Sequence, residues 1–332
     1  MSKRIFASIT FLVLFLQYSP IMAQQIYGNN PLVHTYSIVA IDRETGEMGV
    51  AVQSHWFSVG SIVIWGEAGV GVIATQSFVN PAYGPNGLEL MKMGFSAEEA
   101  LEMLLKKDEG REVRQVAFLD AGGNVSTHTG TGCIDFAGSQ QGDGYSVQAN
   151  LMASDQVWPM MAKAYEGSKG KPLAERLIIA LEATQAAGGD LRGKQSAAIL
   201  VVAPESTGQS WVDRLIDLRV EDHPTPVKEL RRLLKVHTAY THMNNGDLAI
   251  EHGDVPKALE EYSTAEAMFP DNIEMKYWHA VSLANLGKME DALPIFASCF
   301  KASDNWKTVT RHIVKNGMLA VSVEDLKRIL KE

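Results

Sequence analysis

The thiol of Cys133 and three of the nine imidazoles are among the side chains in this sequence whose types could do chemistry. Cys133 lies five residues after His128, and a cysteine beside a histidine is one form of an activated nucleophile. Two glycines separate them, so the spacing does not ensure that thiol and imidazole face each other. His55, His128 and His223 could bind a metal with an acidic residue, but no His-Glu-x-x-His or similar spacing occurs. A Cys-His nucleophile and a metal site are therefore alternatives that the sequence leaves open. Our prediction is that the protein binds no metal.

The glycine pattern and the net charge argue against a dinucleotide cofactor and against nucleic acid as ligands. Gly69-Val70-Gly71 lies inside a strand pattern and lacks the third glycine and following helix of a dinucleotide site. We therefore expect no cofactor. The formal charge of the chain is −9, and this acidity argues against nucleic acid as a partner, because phosphate binding needs clustered Lys and Arg.

Residues 1–23 have the pattern of an export signal. Lys3 and Arg4 precede an apolar run, and Ala23 offers a cleavage point before Gln24. Residues 1–23 are thus predicted to be a signal peptide, with an uncleaved membrane anchor as the alternative, and residues 24–34 an irregular leader or propeptide. We expect a periplasmic or secreted protein with no stable membrane insertion after cleavage.

The elements that must position any site begin at residue 35. Short strand patterns in tandem hairpins, at 35–53, 61–76, 113–128 and 195–220, alternate with pairs of amphipathic helices. One helix opens at Ser96 with Glu99 three residues on, which is a capping box. This order predicts an α+β domain over residues 35–234, with two stacked sheets between helix layers.

The remainder, residues 235–332, is predicted to be all-helical. A Gly-to-Leu segment at 253–259 aligns with one at 287–293, an offset of 34 residues, which is the period of a tetratricopeptide repeat. Tyr262 and Phe296 hold the same aromatic position. The pattern predicts tetratricopeptide-like repeats that bind a peptide, a protein or a cell-wall partner, with an ordinary helical bundle as the alternative.

Residues 35–234 carry several motifs in a fixed order. They include Thr35 to Ala40, Gly49 to Ser54, Tyr83-Gly84-Pro85, His128-Thr129-Gly130 and Gln195 to Ala198. With these motifs the segment resembles the bacterial family called domain of unknown function 1028, which is similar in fold to the N-terminal-nucleophile (Ntn) hydrolases. The resemblance implies an αββα four-layer sandwich and an amidohydrolase activity.

The resemblance also implies site residues. In Ntn hydrolases the first residue of the mature chain is the nucleophile and its free α-amine, with an ordinary pKa near 8, is the base. Thr35 matches that position, so the bond between His34 and Thr35 would have to be cut. The other candidates are Gln53, Ser54 and His55 beside the nucleophile's amine, Glu67 as a tuning charge, and His128, Thr129, Asp190 and Arg192 as substrate-binding residues.

Two functions follow. The first is an exported Ntn-type hydrolase that cleaves an unidentified small amide or peptide with Thr35. The second is a non-catalytic periplasmic binding or scaffold protein that uses its helical repeats. The N-terminus of the mature chain, Thr35 or Gln24, discriminates between them.

Overall fold

A computed structural model describes residues 32–331. The chain divides into two compact units between Pro226 and Val227, whereas the sequence pattern places the boundary between residues 234 and 235. The predicted signal peptide and residues 24–31 of the predicted leader lie outside the described residues.

The first unit contains two antiparallel sheets. One sheet has the order β1-β5-β6-β7, with β4 also paired to β5, and the other has the order β11-β10-β3-β2-β9-β8. The strands are β1 Leu32–Val33, β2 Thr35–Ile41, β3 Met48–Ser54, β4 Ile64–Glu67, β5 Gly71–Phe78, β6 Arg114–Asp120, β7 Val125–Thr129, β8 Gly138–Gly142, β9 Tyr145–Ala149, β10 Ser196–Val202 and β11 Arg214–Val220.

The two sheets are stacked because the central strands are apolar on both faces. Alternate side chains of β2, β3, β5 and β6 form one buried cluster between the sheets, which includes Val39, Val50, Val72 and Leu119. The opposite face of the first sheet, for example Phe118, packs against two helices. Helices also cover the second sheet. The helices of this unit are α1 Tyr83–Lys92, α2 Ala97–Lys107, α3 Val157–Gly167, α4 Leu173–Ala186 and the single turn α5 Ser210–Asp213.

The result is the predicted α+β fold, a four-layer αββα sandwich. Local signals also agree with it. Ser96 accepts the backbone N–H of Glu99, and the Glu99 carboxylate accepts the backbone N–H of Ser96, so the predicted capping box is present at the start of α2.

The structure differs from the sequence prediction in two places that matter for the site. Residues 32–33, inside the predicted irregular leader, form β1 and pair with Ser77 and Phe78 of β5. The hairpin β8–β9 has no counterpart in the prediction. Strand β8 contains only Gly, Ser and Gln, and the five-residue β9 alternates Tyr145, Val147 and Ala149 with the buried polar side chains Ser146 and Gln148. The first strand of the hairpin therefore lacks the apolar alternation that marks a half-buried strand.

The second unit is all-helical. Gly246 lets Tyr262 approach closely, since a Cβ at position 246 would lie 2.5 Å from the tyrosine ring. Over residues 32–331, no helix combines the length and apolarity needed to cross a membrane. The helices are α6 Pro226–Glu251, α7 Val255–Met268, α8 Ile273–Asn285, α9 Met289–Ala302, α10 Asn305–Lys315 and α11 Val323–Leu330.

Candidate active site

Thr35 stands where the chain passes from one sheet to the other. Val33 belongs to β1 in the first sheet and is paired with Ser77. Thr35 opens β2 in the second sheet and is paired with Ser54. The hydroxyl of Thr35 donates to the carbonyl of Val33 at 2.9 Å, and the residue is fully buried. The peptide bond between His34 and Thr35 is therefore the crossing point between the layers.

The carbonyl oxygen of that peptide bond is held by two side chains. Ser54 Oγ donates to the His34 oxygen at 2.5 Å, and Arg192 Nη2 donates to the same oxygen at 2.7 Å. Ser54 is fully buried, and the Arg192 side chain is 29% exposed. One neutral donor and one cationic donor thus converge on the bond that precedes Thr35.

Asp190 fixes the arginine. Its Oδ1 accepts the backbone N–H of Arg192 at 2.9 Å and Arg192 Nε at 3.1 Å. Its Oδ2 accepts Arg192 Nη2 at 2.7 Å and the backbone N–H of His55 at 3.2 Å. The carboxylate is fully buried, so four N–H groups supply the hydrogen bonds that water would otherwise make.

His34 itself is anchored on the inner side. Its Nδ1 lies 2.8 Å from Asn150 Oδ1, and its ring meets Phe78 edge to face. Burial lowers the pKa of His34 below its ordinary value; the hydrogen bond to Asn150 opposes this and the nearby charge of Arg192 adds to it. The imidazole is consequently neutral near pH 7, and Nδ1 carries the proton that Asn150 accepts.

A buried layer of amides surrounds the backbone of Thr35. Gln76 Nε2 donates to the Thr35 carbonyl at 3.2 Å and to Gln115 Oε1 at 2.7 Å. Ser37 Oγ donates to Gln76 Oε1 and accepts from Gln148 Nε2, both at 2.6 Å. These side chains come from both sheets, so the layer joins the sheets through hydrogen bonds at the end where Thr35 lies.

Gln53 points to the other face of the second sheet. Successive side chains of a strand alternate, and Gln53 is paired with Tyr36, whose hydroxyl donates to Gln185 of α4 at 3.3 Å. Gln53 is fully buried, and within residues 32–331 neither its side-chain oxygen nor its nitrogen has a hydrogen-bond partner. The structure therefore gives no contact through which Gln53 would reach the amine of Thr35.

Glu67 lies far from Thr35 along the first sheet. It is paired with Gly71 at the beginning of β5, whereas Gln76, which contacts the Thr35 carbonyl, lies near the end of that strand. Its carboxylate pairs with Lys92 at 2.5 Å and lines a cavity of about 570 Å³. This position does not support the tuning role predicted for Glu67. The hairpin turn after Glu67 lies at one end of β5, whereas Gln76 and the Thr35 carbonyl lie at the other.

His128 and Thr129 occupy opposite faces of β7. Thr129 Oγ1 accepts from Gln115 Nε2 at 2.9 Å, which places it at the margin of the amide layer. His128 Nε2 lies 2.7 Å from the Arg111 carbonyl, outside that layer. Cys133 donates to a different carbonyl, that of Arg114, at 3.3 Å, so the two side chains form no thiol–imidazole pair. Burial raises the pKa of the Cys133 thiol.

Among residues 32–331, no group of three or more His, Cys, Asp or Glu side chains could hold a metal ion. The structure instead brings together Thr35, Ser54, Asp190 and Arg192 from the sequence candidates, and His55 through its backbone only.

The residues that sequence reasoning missed are the buried amides. Ser146, Gln148 and Asn150 recur at every second position of β9 and just beyond it, and Gln76 and Gln115 lie at the polar ends of the mainly apolar strands β5 and β6. A period-two series of polar residues inside a buried strand is the signal that could have found them, since it predicts a polar layer on one inner face.

Comparisons with known proteins agree with this architecture. The family model described as "Family of unknown function (DUF1028)" matches residues 35–230. Protein SPO2555 of Silicibacter pomeroyi, whose crystal structure is assigned to the same family model, is similar with a TM-score of 0.56 and 29% sequence identity. The similarity covers 62% of this chain and 89% of that one. No curated protein matches.

Proposed function

We propose, from the premise that this chain belongs to the family of unknown function DUF1028, that it is an exported hydrolase of the N-terminal-nucleophile type. Thr35 is its nucleophile, and its substrate is a small amide or a peptide.

One observation carries this proposal: the peptide bond before Thr35 is held by groups suited to its cleavage. The bond links the two sheets, and its carbonyl oxygen accepts from the side chains of Ser54 and Arg192. The four-layer fold supports the proposal, because Thr35 begins a central strand of one sheet. The carbonyl of Thr35 itself is also fixed, since it accepts the backbone N–H of Asn150 at 3.1 Å.

The chemistry has two stages. In the first, Thr35 Oγ1 adds to the carbonyl carbon of His34, the bond from that carbon to the Thr35 nitrogen breaks, and the hydroxyl proton ends on the new α-amine. Water then hydrolyses the ester, which leaves a carboxylate on His34 and a free Thr35 hydroxyl. In the second stage the α-amine accepts the hydroxyl proton as Oγ1 attacks a substrate amide. The leaving amine takes a proton, and water hydrolyses the acyl ester.

Apolar side chains beside the site favour a substrate with an apolar portion. Ile134, Phe136 and Leu191 are 40%, 47% and 67% exposed. They lie on neighbouring loops, since the N–H of Leu151 donates to the Ile134 carbonyl and the N–H of Leu191 to the Leu151 carbonyl. Leu151 follows Asn150, which contacts Thr35. Grouped exposed apolar residues commonly mark a binding surface.

Export and partner binding are parts of the same proposal. The basic and apolar pattern of residues 1–23 supports export. The 34-residue repeat in the helical unit supports a tetratricopeptide-like surface for a peptide, protein or cell-wall partner. Fractionation of the native cells and capture of the protein on isolated cell wall test these two points.

The decisive test is the N-terminus of the mature protein. We expect intact mass and N-terminal sequencing of the exported protein to give a chain that begins at Thr35, and Thr35→Ala to retain the bond. A β-lactone probe, which acylates an activated hydroxyl, should label Thr35 only in the cut protein. Exported wild-type protein that still contains residues 24–34 and resists the probe would exclude Thr35 as the nucleophile.

A second candidate function is a binding protein without catalysis. It is favoured by the complete hydrogen bonding of the uncut arrangement, in which Thr35 Oγ1 donates to the Val33 carbonyl and β1 pairs with β5. A mature chain that begins at Gln24 supports it.

A further inference from the structure

The two donors on the His34 carbonyl are unusual for a bond inside a sandwich core. The Arg192 guanidinium donates hydrogen bonds both to the Asp190 carboxylate and to this backbone oxygen. A neutral carbonyl needs one ordinary donor to be satisfied. Here Ser54 supplies that donor at 2.5 Å, and Nη2 of the charged guanidinium donates to the same oxygen at 2.7 Å.

The guanidinium is held before any reaction takes place. Asp190 accepts Nε and Nη2 of Arg192, and its second partner is the backbone N–H of His55 at the end of β3. The backbone of Asp190 is itself bridged to Met152. Donors fixed in this way need no reorganisation when charge appears on the oxygen, which is the condition for strong electrostatic stabilisation.

We propose that the Ser54 hydroxyl and the Arg192 guanidinium form the oxyanion site of the Thr35 reaction, with Asp190 as the positioning residue. This inference rests on the proposed function. When Thr35 Oγ1 adds to the His34 carbon, the carbonyl oxygen becomes an anion at the point where both donors already lie. Electrostatic preorganisation of this kind is commonly the largest single contribution to acyl-transfer rates.

The same geometry assigns the place of the substrate carbonyl. After the bond is cut, the segment that ends in His34 leaves, and Ser54 and Arg192 lose their acceptor. Ser54 is fully buried, and a buried donor without an acceptor is unfavourable, so the site favours a ligand whose carbonyl oxygen takes the position of the His34 oxygen. The chemical class is therefore a neutral amide or peptide carbonyl at the reacting group.

The test follows the cleavage itself, because no external substrate is needed. The full-length chain is made by cell-free synthesis, and mass spectrometry follows the appearance of the Thr35 N-terminus with time. We expect Ser54→Ala and Arg192→Ala each to slow cleavage roughly 100-fold or more, the effect of losing one oxyanion donor. Arg43→Ala, which removes an exposed arginine paired with Asp143, is the matched control and should cleave at the wild-type rate.

Two further measurements separate chemistry from folding. Guanidinium chloride at a low, non-denaturing concentration should restore part of the rate of Arg192→Ala but none of that of Ser54→Ala. With each rate corrected for the folded fraction, Asp190→Asn should slow cleavage in the wild-type background and add little to Arg192→Ala, because the effect of Asp190 on the reaction passes through Arg192. A general structural role for Asp190 would instead slow both backgrounds.

The outcomes distinguish failure of the oxyanion site from failure of Thr35 as the nucleophile. If Ser54→Ala and Arg192→Ala keep the wild-type circular dichroism and cleave at the wild-type rate, the oxyanion site is refuted and Thr35 survives as nucleophile. If the wild type and Thr35→Ala are both uncut, the proposed function and this inference fall together. Should Arg192→Ala not fold, the small change Ser54→Ala still decides, since a wild-type rate in that variant contradicts the site.

Discussion

Replacement of Asp190 by Asn should open the end of the sandwich around Thr35. The carboxylate accepts four N–H groups, two on each oxygen, and is fully buried. Asn keeps one accepting oxygen and turns an NH₂ group toward two N–H donors. At least two hydrogen bonds to a charged group are lost, each worth about 1.5–3 kcal/mol.

The size of the effect follows from these losses and from exposure. Breaking a buried ion pair costs about 3–5 kcal/mol. Because the Arg192 side chain is 29% exposed, water replaces part of the loss, and we expect the low end, about 3 kcal/mol. At about 1.4 kcal/mol for each tenfold change, the variant should exchange its most protected amides roughly 100-fold faster.

Hydrogen exchange read by mass spectrometry on peptides from β2 and β3 is the suitable assay, because it reports the first unit without interference from the second. Asp143→Asn is the control, since Asp143 is 87% exposed in its pair with Arg43 and should change exchange by about threefold or less. Exchange in Asp190→Asn within threefold of the wild type would refute the reasoning, because the buried carboxylate would then be dispensable.

Three other predictions concern stability. Burial alone would raise the pKa of Asp108, but the hydrogen bond and charge of Arg114 outweigh it and lower that pKa, so the stability it contributes is present above about pH 4 and is lost as pH falls through the folded-state pKa. Asp108→Asn should thus cost about 2–4 kcal/mol at pH 7 and progressively less below pH 4 in thermal unfolding, and an equal cost at pH 3 would contradict this. Gln115→Leu should lower the unfolding free energy by about 3–5 kcal/mol in a urea titration, because the amides that bond it lose partners; a cost under about 1 kcal/mol would show that the amide layer is not stabilising. Gly246→Val should speed hydrogen exchange in α7 at least tenfold, since its Cβ would lie 2.5 Å from the Tyr262 ring, and unchanged exchange would mean that the ring moves aside freely.

Much of the fold was predictable because its strands are mainly apolar or alternating runs bounded by turns. β2 begins at Thr35 and β11 spans Arg214–Val220, as the pattern indicates, since local turn chemistry and alternation act over a few residues. The β8–β9 hairpin was missed because β8 has no apolar side chain and because Gln148 of β9 is buried as a partner in a hydrogen-bond layer. Periodicity of apolar residues does not report such a layer.

The candidate site was predictable only in part. Thr35 and Ser54 are found through the family resemblance and turn out to be paired across neighbouring strands. Glu67 was assigned to the same site through the same resemblance, but β5 carries the chain to the other end of the sheet before it reaches Gln76. Strand direction, rather than sequence distance, decides which residues share an end of a sandwich.

The sequence by itself determined the classes of element, the αββα order of the first unit and the helical character of the second, since each depends on patterns a few residues long. Only the tertiary structure decided what surrounds the bond before Thr35. Ser54 and Arg192 reach the His34 oxygen from positions 20 and 158 residues away. Gln76 and Asn150 fix the following carbonyl from two different sheets. Hydrogen bonds between groups so far apart along the chain arise only when the sheets stack, because stacking both brings them within reach and excludes the water that would otherwise bind them.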